Sequence, residues 1–392
     1  MRILLLGTGL QGKAALHDLA RSPFVSRVIA GDADIGGLTA YADRLETDKI
    51  TCVELDAYNH DQVAGLMQSA QVVIALLPTA FHVSIAQLAL ACGVHLVSAS
   101  YAPREFQAIG REAEAKGLAI LPEFGLDPGI DLVLAGQAIR ELDEVHEFYS
   151  YGAGVPEPNV ANNPIKYKVS WTFEGVLKSY RHPARILRHS HTVDISDKEI
   201  FAEENIHMVK IEGLGPLEAF PNGDVVKYLN AMGTSPTVRN AGRYTMRWPG
   251  HCAFWKQLVD LGFLDEAPIR VGDDVTISPR RFVHDLLVPQ LQYQDDERDV
   301  TVVRIDTRGI KNGRRKRVIY QVIDWRDLDT GLLAMQRTVG YTTSIGAQMI
   351  LRGDIQQRGL LSPIKDVPAG IFLDELRQRG IAVQRKEGDW KG

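Results

Sequence analysis

Residues 1–16 read MRILLLGTGLQGKAAL, an apolar run that breaks into Gly7, Gly9 and Gly12. A run of this kind suits a parallel strand buried on both faces, and glycines at this spacing suit a tight turn that opens a helix. The reading is therefore strand, turn, helix, with a pyrophosphate on the helix N-terminus, where backbone N–H groups and the positive end of the helix dipole point at it. Gly7 serves the turn, Gly9 the close approach of backbone to phosphate, and Gly12 the packing of helix on strand. Leu10 and Gln11, between the glycines, are cofactor contacts on the same reading. About twenty residues on, VSRVIAGDAD ends a second strand at Asp32, where this motif expects an acid on the adenosine ribose 2′-hydroxyl. A carboxylate there repels a 2′-phosphate, so NAD is expected over NADP. Asp34 reads as a solvated loop acid.

The bounds agree with an ordinary soluble protein. A chain of 392 residues accommodates more than one domain, and 45% hydrophobic with 24% charged residues argues against disorder. A net charge of −5 argues against nucleic acid as the main partner. The basic run in RGIKNGRRKRVIY lies between two alternating strands and reads as a solvated hairpin turn around Asn312 and Gly313. Cys52, Cys92 and Cys252 are odd in number and widely spaced, which implies neither a disulfide framework nor a metal cluster. His189 and His191 lack a supporting Cys or carboxylate at ligand spacing, so no metal is expected. No stretch approaches the roughly twenty apolar residues of a membrane span. A cytoplasmic protein is the simplest expectation.

Along the chain, KITCVELDA, QVVIALLP, HLVSAS and LAILPEFG continue the alternation of strand and helix that marks a doubly wound α/β sheet of Rossmann type. Ligands of such sheets bind beyond the carboxyl ends of the strands. That rule selects Asp56, Leu77, Pro78, Ser98, Ser100, Tyr101 and the loop GLDPG. Asp56 reads either as a residue near the adenine or as the cap of the helix begun by NHDQVA. After Gly129 the strand-like segments EVHEFYSYGAG, HMVKIEGLGPLEAF and RYTMRWPG imply a second, α+β domain on a mostly antiparallel sheet. The expected division is 1–130 for the nucleotide domain and 131–340 for a substrate-binding and dimerisation domain, with helices of 341–392 returning to the first. His251 reads as a loop histidine.

The loop LPEFGLDPGID, the stretch NNPIKYKVSWTFEGVL, the run AFPNGDVVKY, the strand RYTMRWPGH with LVDLGFL, and the tail RGLLSP together resemble the saccharopine dehydrogenase family. The likeness is strongest to its L-glutamate-forming reductases. It implies a substrate site containing Asp127, Ser100 and Tyr101, with Tyr167, Lys168 and Trp171 from the YKxSW block and Thr245, Met246 and Arg247 from the RYTMRW strand. Two positions depart from the pattern: a family arginine in PNRD is Gly223, and a family cysteine is Gly152. A bacterial relative, lysine 6-dehydrogenase, shares GPLEAF and the RxxxRxxGH pattern but not the Asp of LDPG or the NNPxxYKxSW block.

The residue types suit oxidation of an amine to an imine. The amine must be neutral before nicotinamide accepts hydride, and hydrolysis of the imine needs a positioned water and an acid for the leaving amine. Asp127 can orient amine or water, Lys168 or Tyr101 can pass protons, and Arg247 can clamp a substrate carboxylate. The expected reaction is NAD-dependent cleavage of a saccharopine-like amino-acid substrate to glutamate and a semialdehyde, or its reverse, by a homodimer. Deamination of the lysine 6-dehydrogenase kind is the alternative. A non-catalytic NAD-binding sensor, favoured by Gly223 and Gly152, is a third reading.

Overall fold

The computed structural model describes every residue except Ser235, Asp273 and Gly392. Two compact units divide the chain: residues 1–137 with 335–383, and 138–334 with 384–392.

In the first unit, strands β1 (Arg2–Leu6), β2 (Arg27–Asp32), β3 (Ile50–Glu54), β4 (Val72–Ala75), β5 (His95–Ser98) and β6 (Ala119–Leu121) alternate with helices α1 (Leu10–Arg21), α2 (Ile35–Asp43), α3 (His60–Met67), α4 (His82–Cys92) and α5 (Phe106–Ala115). All pairings are parallel, in the order β3-β2-β1-β4-β5-β6. The strand order therefore reverses between β1 and β4, the place where doubly wound sheets open a crevice for ligands. Leu4, Leu5 and Leu6 are fully buried, as a central strand covered on both faces requires. Helix α6 (Ile130–Arg140) then carries the chain into the second unit.

The second unit is built on a long strand β7 (Glu144–Pro156), followed by α7 (Phe173–Ser179), β8 (Ala184–Arg188), β9 (His191–Ile195), β10 (His207–Ile211), β11 (Gly215–Pro221), α8 (Val225–Met232), β12 (Asn240–Arg247) and α9 (His251–Asp260). A small hairpin, β13 (Ile269–Val271) with β14 (Val275–Ile277), precedes α10 (Pro279–Leu287), β15 (Asp299–Lys311) and β16 (Arg314–Trp325). Helix α10 starts as its sequence dictates, with Ser278 capping and Pro279 in the first turn. The β15–β16 hairpin turns at Asn312 and Gly313, both at positive φ, the conformation a two-residue turn of this kind needs. The sheet is mostly antiparallel among the described pairings, while β7 pairs with β12 in parallel.

The chain returns to the first unit through α11 (Ala334–Arg352), β17 (Gly359–Leu360), α12 (Pro363–Asp366) and α13 (Ala369–Gln378). β17 extends the parallel sheet beside β6. Asp18 on α1 anchors this return: its carboxylate accepts from Ser344 Oγ at 2.6 Å, Arg379 Nε at 2.6 Å and Gln348 Nε2 at 3.3 Å. The expected all-helical tail is corrected at its end, where β18 (Val383–Asp389) pairs with β16. Its residues VQRKEGD are almost all exposed and carry no apolar alternation, so the strand is legible only from its ion partners. Glu387 meets Lys311 at 2.9 Å and Asp389 meets Lys316 at 2.8 Å. Among the described residues no helix is long and apolar enough to cross a membrane.

Candidate active site

The glycine turn has the geometry its spacing predicts. Gly7 has φ +89°, and a Cβ on it would meet the Leu76 carbonyl oxygen at 2.8 Å. A Cβ on Gly12 would lie 2.1 Å from the Gly7 carbonyl oxygen, so only glycine lets α1 start this close to β1. At Gly9 a Cβ would meet nothing within 4 Å. The turn thus keeps an open space over the start of α1, and Leu10, at 40% exposed, leaves an apolar side chain beside it. Gln11 follows in the first turn. At the ends of the neighbouring strands Leu77 is half-buried, Pro78 is exposed, and Ser98 is buried with no hydrogen-bond partner for its hydroxyl among the described residues. An open cradle at a helix N-terminus and a nearby orphan hydroxyl fit a dinucleotide.

Asp32 is tied into this turn. One carboxylate oxygen accepts from Thr8 N at 2.5 Å and Thr8 Oγ1 at 3.0 Å, and the other accepts from Asp34 N at 3.0 Å. Asp34 is not merely a solvated acid: it caps α2 by accepting from Gly37 N at 2.9 Å. Asp56 does not cap α3. Its carboxylate accepts from Tyr58 N at 2.9 Å, while Asn59 takes the cap by accepting from Gln62 N at 3.0 Å. Both acids sit where side-chain-to-backbone bonding competes with ligand contact, a competition that spacing alone does not resolve.

Farther along the same edge, the loop after β6 folds back on itself. Gly125 N donates to the Pro128 carbonyl at 2.8 Å, and a Cβ on Gly129 would strike the Gly125 carbonyl oxygen at 2.0 Å. This closure displays the half-buried Asp127 between the two glycines, and α6 begins only at Ile130. The half-buried Ser100 accepts from Glu123 N at 3.0 Å through its carbonyl, and Tyr101 is 48% exposed. Glu123 was not among the expected site residues. It is buried, holds φ +57°, and its carboxylate accepts from Ala102 N at 3.3 Å. A non-glycine residue in the left-handed region is costly, and such positions gather at functional sites. Its place just past the end of β6 was the available signal.

The second unit holds a separate cluster. Along β12, Tyr244 and Met246 enter one apolar core while Thr245 and Arg247 alternate to the opposite face. Arg247 is buried: one terminal nitrogen donates to the Met246 carbonyl at 2.9 Å, the guanidinium also hydrogen-bonds the Tyr180 hydroxyl, Nε has no hydrogen-bond partner among the described residues, and Cζ stands 5.3 Å from the Tyr167 ring centroid. No carboxylate pairs with it among the described residues. Tyr167 is held by Asn163, which accepts from Tyr167 N and donates to its carbonyl at 2.7 Å. The Tyr293 hydroxyl and the indole nitrogen of Trp255 are likewise buried without partners among the described residues. Thr245 Oγ1 accepts from Asn222 Nδ2 at 2.8 Å, and Trp171 lies over Gly175, where a Cβ would meet its ring at 2.7 Å.

Lys168 is buried rather than a surface charge, with Nζ 2.6 Å from both carboxylate oxygens of Glu297 and 5.9 Å from the Tyr293 ring centroid. Burial pushes the Tyr293 phenol well above its ordinary range. His251 is corrected from a loop residue to the buried first residue of α9, with Nε2 2.8 Å from the Tyr180 hydroxyl. Burial first and the Arg247 charge second hold its imidazole well below its ordinary value of 6.5, so it is neutral. Of the two departures from the family pattern, Gly152 lies opposite Thr245 in the sheet and Gly223 sits at φ +78° with open space around its Cα.

A parallel α/β unit with a dinucleotide turn, followed by a mixed-sheet unit with a buried cationic and aromatic cluster, defines a nucleotide-dependent oxidoreductase. Residues 3–121 match the saccharopine dehydrogenase NADP binding domain and residues 125–381 the saccharopine dehydrogenase C-terminal domain. The chain belongs to the saccharopine dehydrogenase family. It is 26% identical to the mitochondrial alpha-aminoadipic semialdehyde synthase of Bos taurus over 97% of its own length, and it spans about half (47%) of that relative. It is 25% identical to the saccharopine dehydrogenase [NADP(+), L-glutamate-forming] of Saccharomyces cerevisiae over 98% of each chain. The apo yeast saccharopine dehydrogenase (L-Glu forming) has the same fold, with a TM-score of 0.86 at 24% identity over 99% of each chain.

Proposed function

We propose that this protein oxidises a secondary amine joining two amino-acid portions, the saccharopine reaction named for its fungal relatives, and releases L-glutamate and 2-aminoadipate semialdehyde or runs the reverse. The observation that carries this reading is Arg247: a buried guanidinium with no carboxylate against it among the described residues. A lone buried charge costs several kcal/mol, a cost that a substrate carboxylate gripped by the guanidinium fork offsets.

The nicotinamide ring, when bound, supplies the acceptor for hydride from the carbon beside the amine. The chain's own residues do the rest. Gly7, Gly9, Gly12 and the start of α1 hold the diphosphate, with Leu10, Gln11, Leu77, Pro78 and Ser98 around the remainder and Asp56 toward the adenine. Asp127, with Ser100 and Tyr101 on the loop after β5 that is hydrogen-bonded to its own loop through Glu123 and Ser100, orients the amine and the water that adds to the imine. Tyr101 passes a proton at its hydroxyl. Lys168 is a candidate for the acid that protonates the departing amine, with Glu297 fixing its ammonium. Thr245 and Trp171 shape the walls. Incubation with saccharopine and nucleotide, assayed for reduced cofactor, glutamate and ammonia, tests the reading. Glutamate without ammonia supports it; ammonia without glutamate favours deamination of the lysine 6-dehydrogenase kind; no turnover despite nucleotide binding favours a sensor.

NAD is the proposed cofactor, although the relatives are named for NADP(+). The end of β2 carries Asp32 and Asp34 and no cation, and a carboxylate there repels a 2′-phosphate. Turnover with NADP at least as efficient as with NAD would reverse this assignment. The three free cysteines fit a reducing, cytoplasmic setting. A homodimer through the second unit is supported by Leu261, Ile269, Val275 and Leu286, all more than half exposed. A sedimentation mass of one chain at micromolar concentration would overturn it.

A further inference from the structure

A cavity of about 620 Å³ opens on the second unit where the tip of the β8–β9 hairpin, the start of β12 and the last residues of the chain converge. Arg239, Arg308, Arg315 and Lys391 line it against a single carboxylate, Glu147. Glu147 is already satisfied: it accepts from Arg308 at 2.7 Å, from Asn240 at 3.4 Å and from the Tyr149 hydroxyl at 3.4 Å. Arg239, Arg315 and Lys391 have no carboxylate partner among the described residues, in a protein whose net charge is negative. Trp390 stands among them, with Arg315 Cζ 5.6 Å from its ring centroid and the His146 ring edge-on at 6.0 Å. At the hairpin tip, His189 and Ser190 hold φ +47° and +66°. Side chains other than glycine are disfavoured in this backbone, and glycine would adopt it without that penalty. The turn instead keeps an imidazole and a hydroxyl at the cavity wall.

Converging unpaired cations with a planar aromatic ring are the chemistry that grips phosphate at one end and a heterocycle at the other. We propose that this cavity is a second ligand site, separate from the dinucleotide turn, for a nucleoside polyphosphate. Arg239, Arg315 and Lys391 hold the phosphates, and the base stacks on Trp390. Its volume is in the range of small-molecule sites.

The test is calorimetric titration of the full chain, presaturated with NADH to fill the first unit's turn, with ATP, tripolyphosphate and adenosine in separate arms. ATP binds at least tenfold more tightly than either fragment. The double variant R239A/R315A weakens ATP at least tenfold while leaving NADH affinity and basal turnover within twofold. W390A brings ATP down to the affinity of tripolyphosphate. Equal affinity for ATP and tripolyphosphate would overturn the nucleotide assignment, and absence of ATP binding, or binding indifferent to R239A/R315A, would overturn the site. Heat is read directly, so failure of the proposed catalysis leaves the outcome interpretable.

Discussion

Replacing Arg247 by Leu separates catalysis from folding. In the folded chain the guanidinium donates to the Met246 carbonyl at 2.9 Å, hydrogen-bonds the Tyr180 hydroxyl and stands 5.3 Å from the Tyr167 ring. Each is worth about 1 kcal/mol, and the removal of a buried cation without an anion offsets them. R247L therefore shifts Tm by no more than a few degrees. Toward substrate the loss is larger: two charge-assisted hydrogen bonds to a carboxylate contribute about 3–4 kcal/mol together, a fall of roughly a hundred- to a thousandfold in kcat/KM. R247K keeps the charge but not the fork and falls between. The assay pairs NADH formation from saccharopine with thermal unfolding of the same preparations. A variant whose kcat/KM stays within threefold of wild type while Tm drops by about 10 °C or more would make Arg247 a structural residue and refute the reasoning.

The two glycines of the turn respond differently. G12A brings Cβ to 2.1 Å from the Gly7 carbonyl oxygen and costs about 1–3 kcal/mol of stability, whereas G9A, with nothing within 4 Å, unfolds at the wild-type temperature and loses only NADH affinity in a fluorescence titration. Breaking the Lys168–Glu297 pair with E297A leaves a buried ammonium alone, costs about 3 kcal/mol and lowers Tm by roughly 5–10 °C in calorimetry. His251 is neutral when folded and takes up a proton below about 6.5 when unfolded, so its contribution is complete above that pH and is lost as pH falls. Urea melts at pH 7.5 and 5.5 should show about 1.4 kcal/mol more acid sensitivity in wild type than in H251Q; equal sensitivity would place the titration elsewhere.

The glycine turn was legible because its constraint is steric and local: Gly7, Gly9 and Gly12 each answer to atoms a few residues or one strand away. The β15–β16 hairpin was legible for the same reason, since Asn312 and Gly313 both need positive φ. Asp34 and Asp56 were harder because each has a backbone N–H within three residues that competes for its oxygens. Tyr293 and Glu297 were invisible, since their relation to Tyr167 and Lys168 exists only once β15 has been brought beside β7. His251 gave a false loop signal because Pro249 and Gly250 precede it, although they serve as the entry to a helix. β18 carries no hydrophobic period at all and is held by charges more than seventy residues away.

A crystal structure of the chain with NADH and saccharopine bound tests the central claim most directly. The account predicts a substrate carboxylate within hydrogen-bonding distance of the Arg247 guanidinium, with the carbon beside the secondary amine facing the nicotinamide ring. Substrate seated elsewhere, with Arg247 Nε still unbonded, would contradict it.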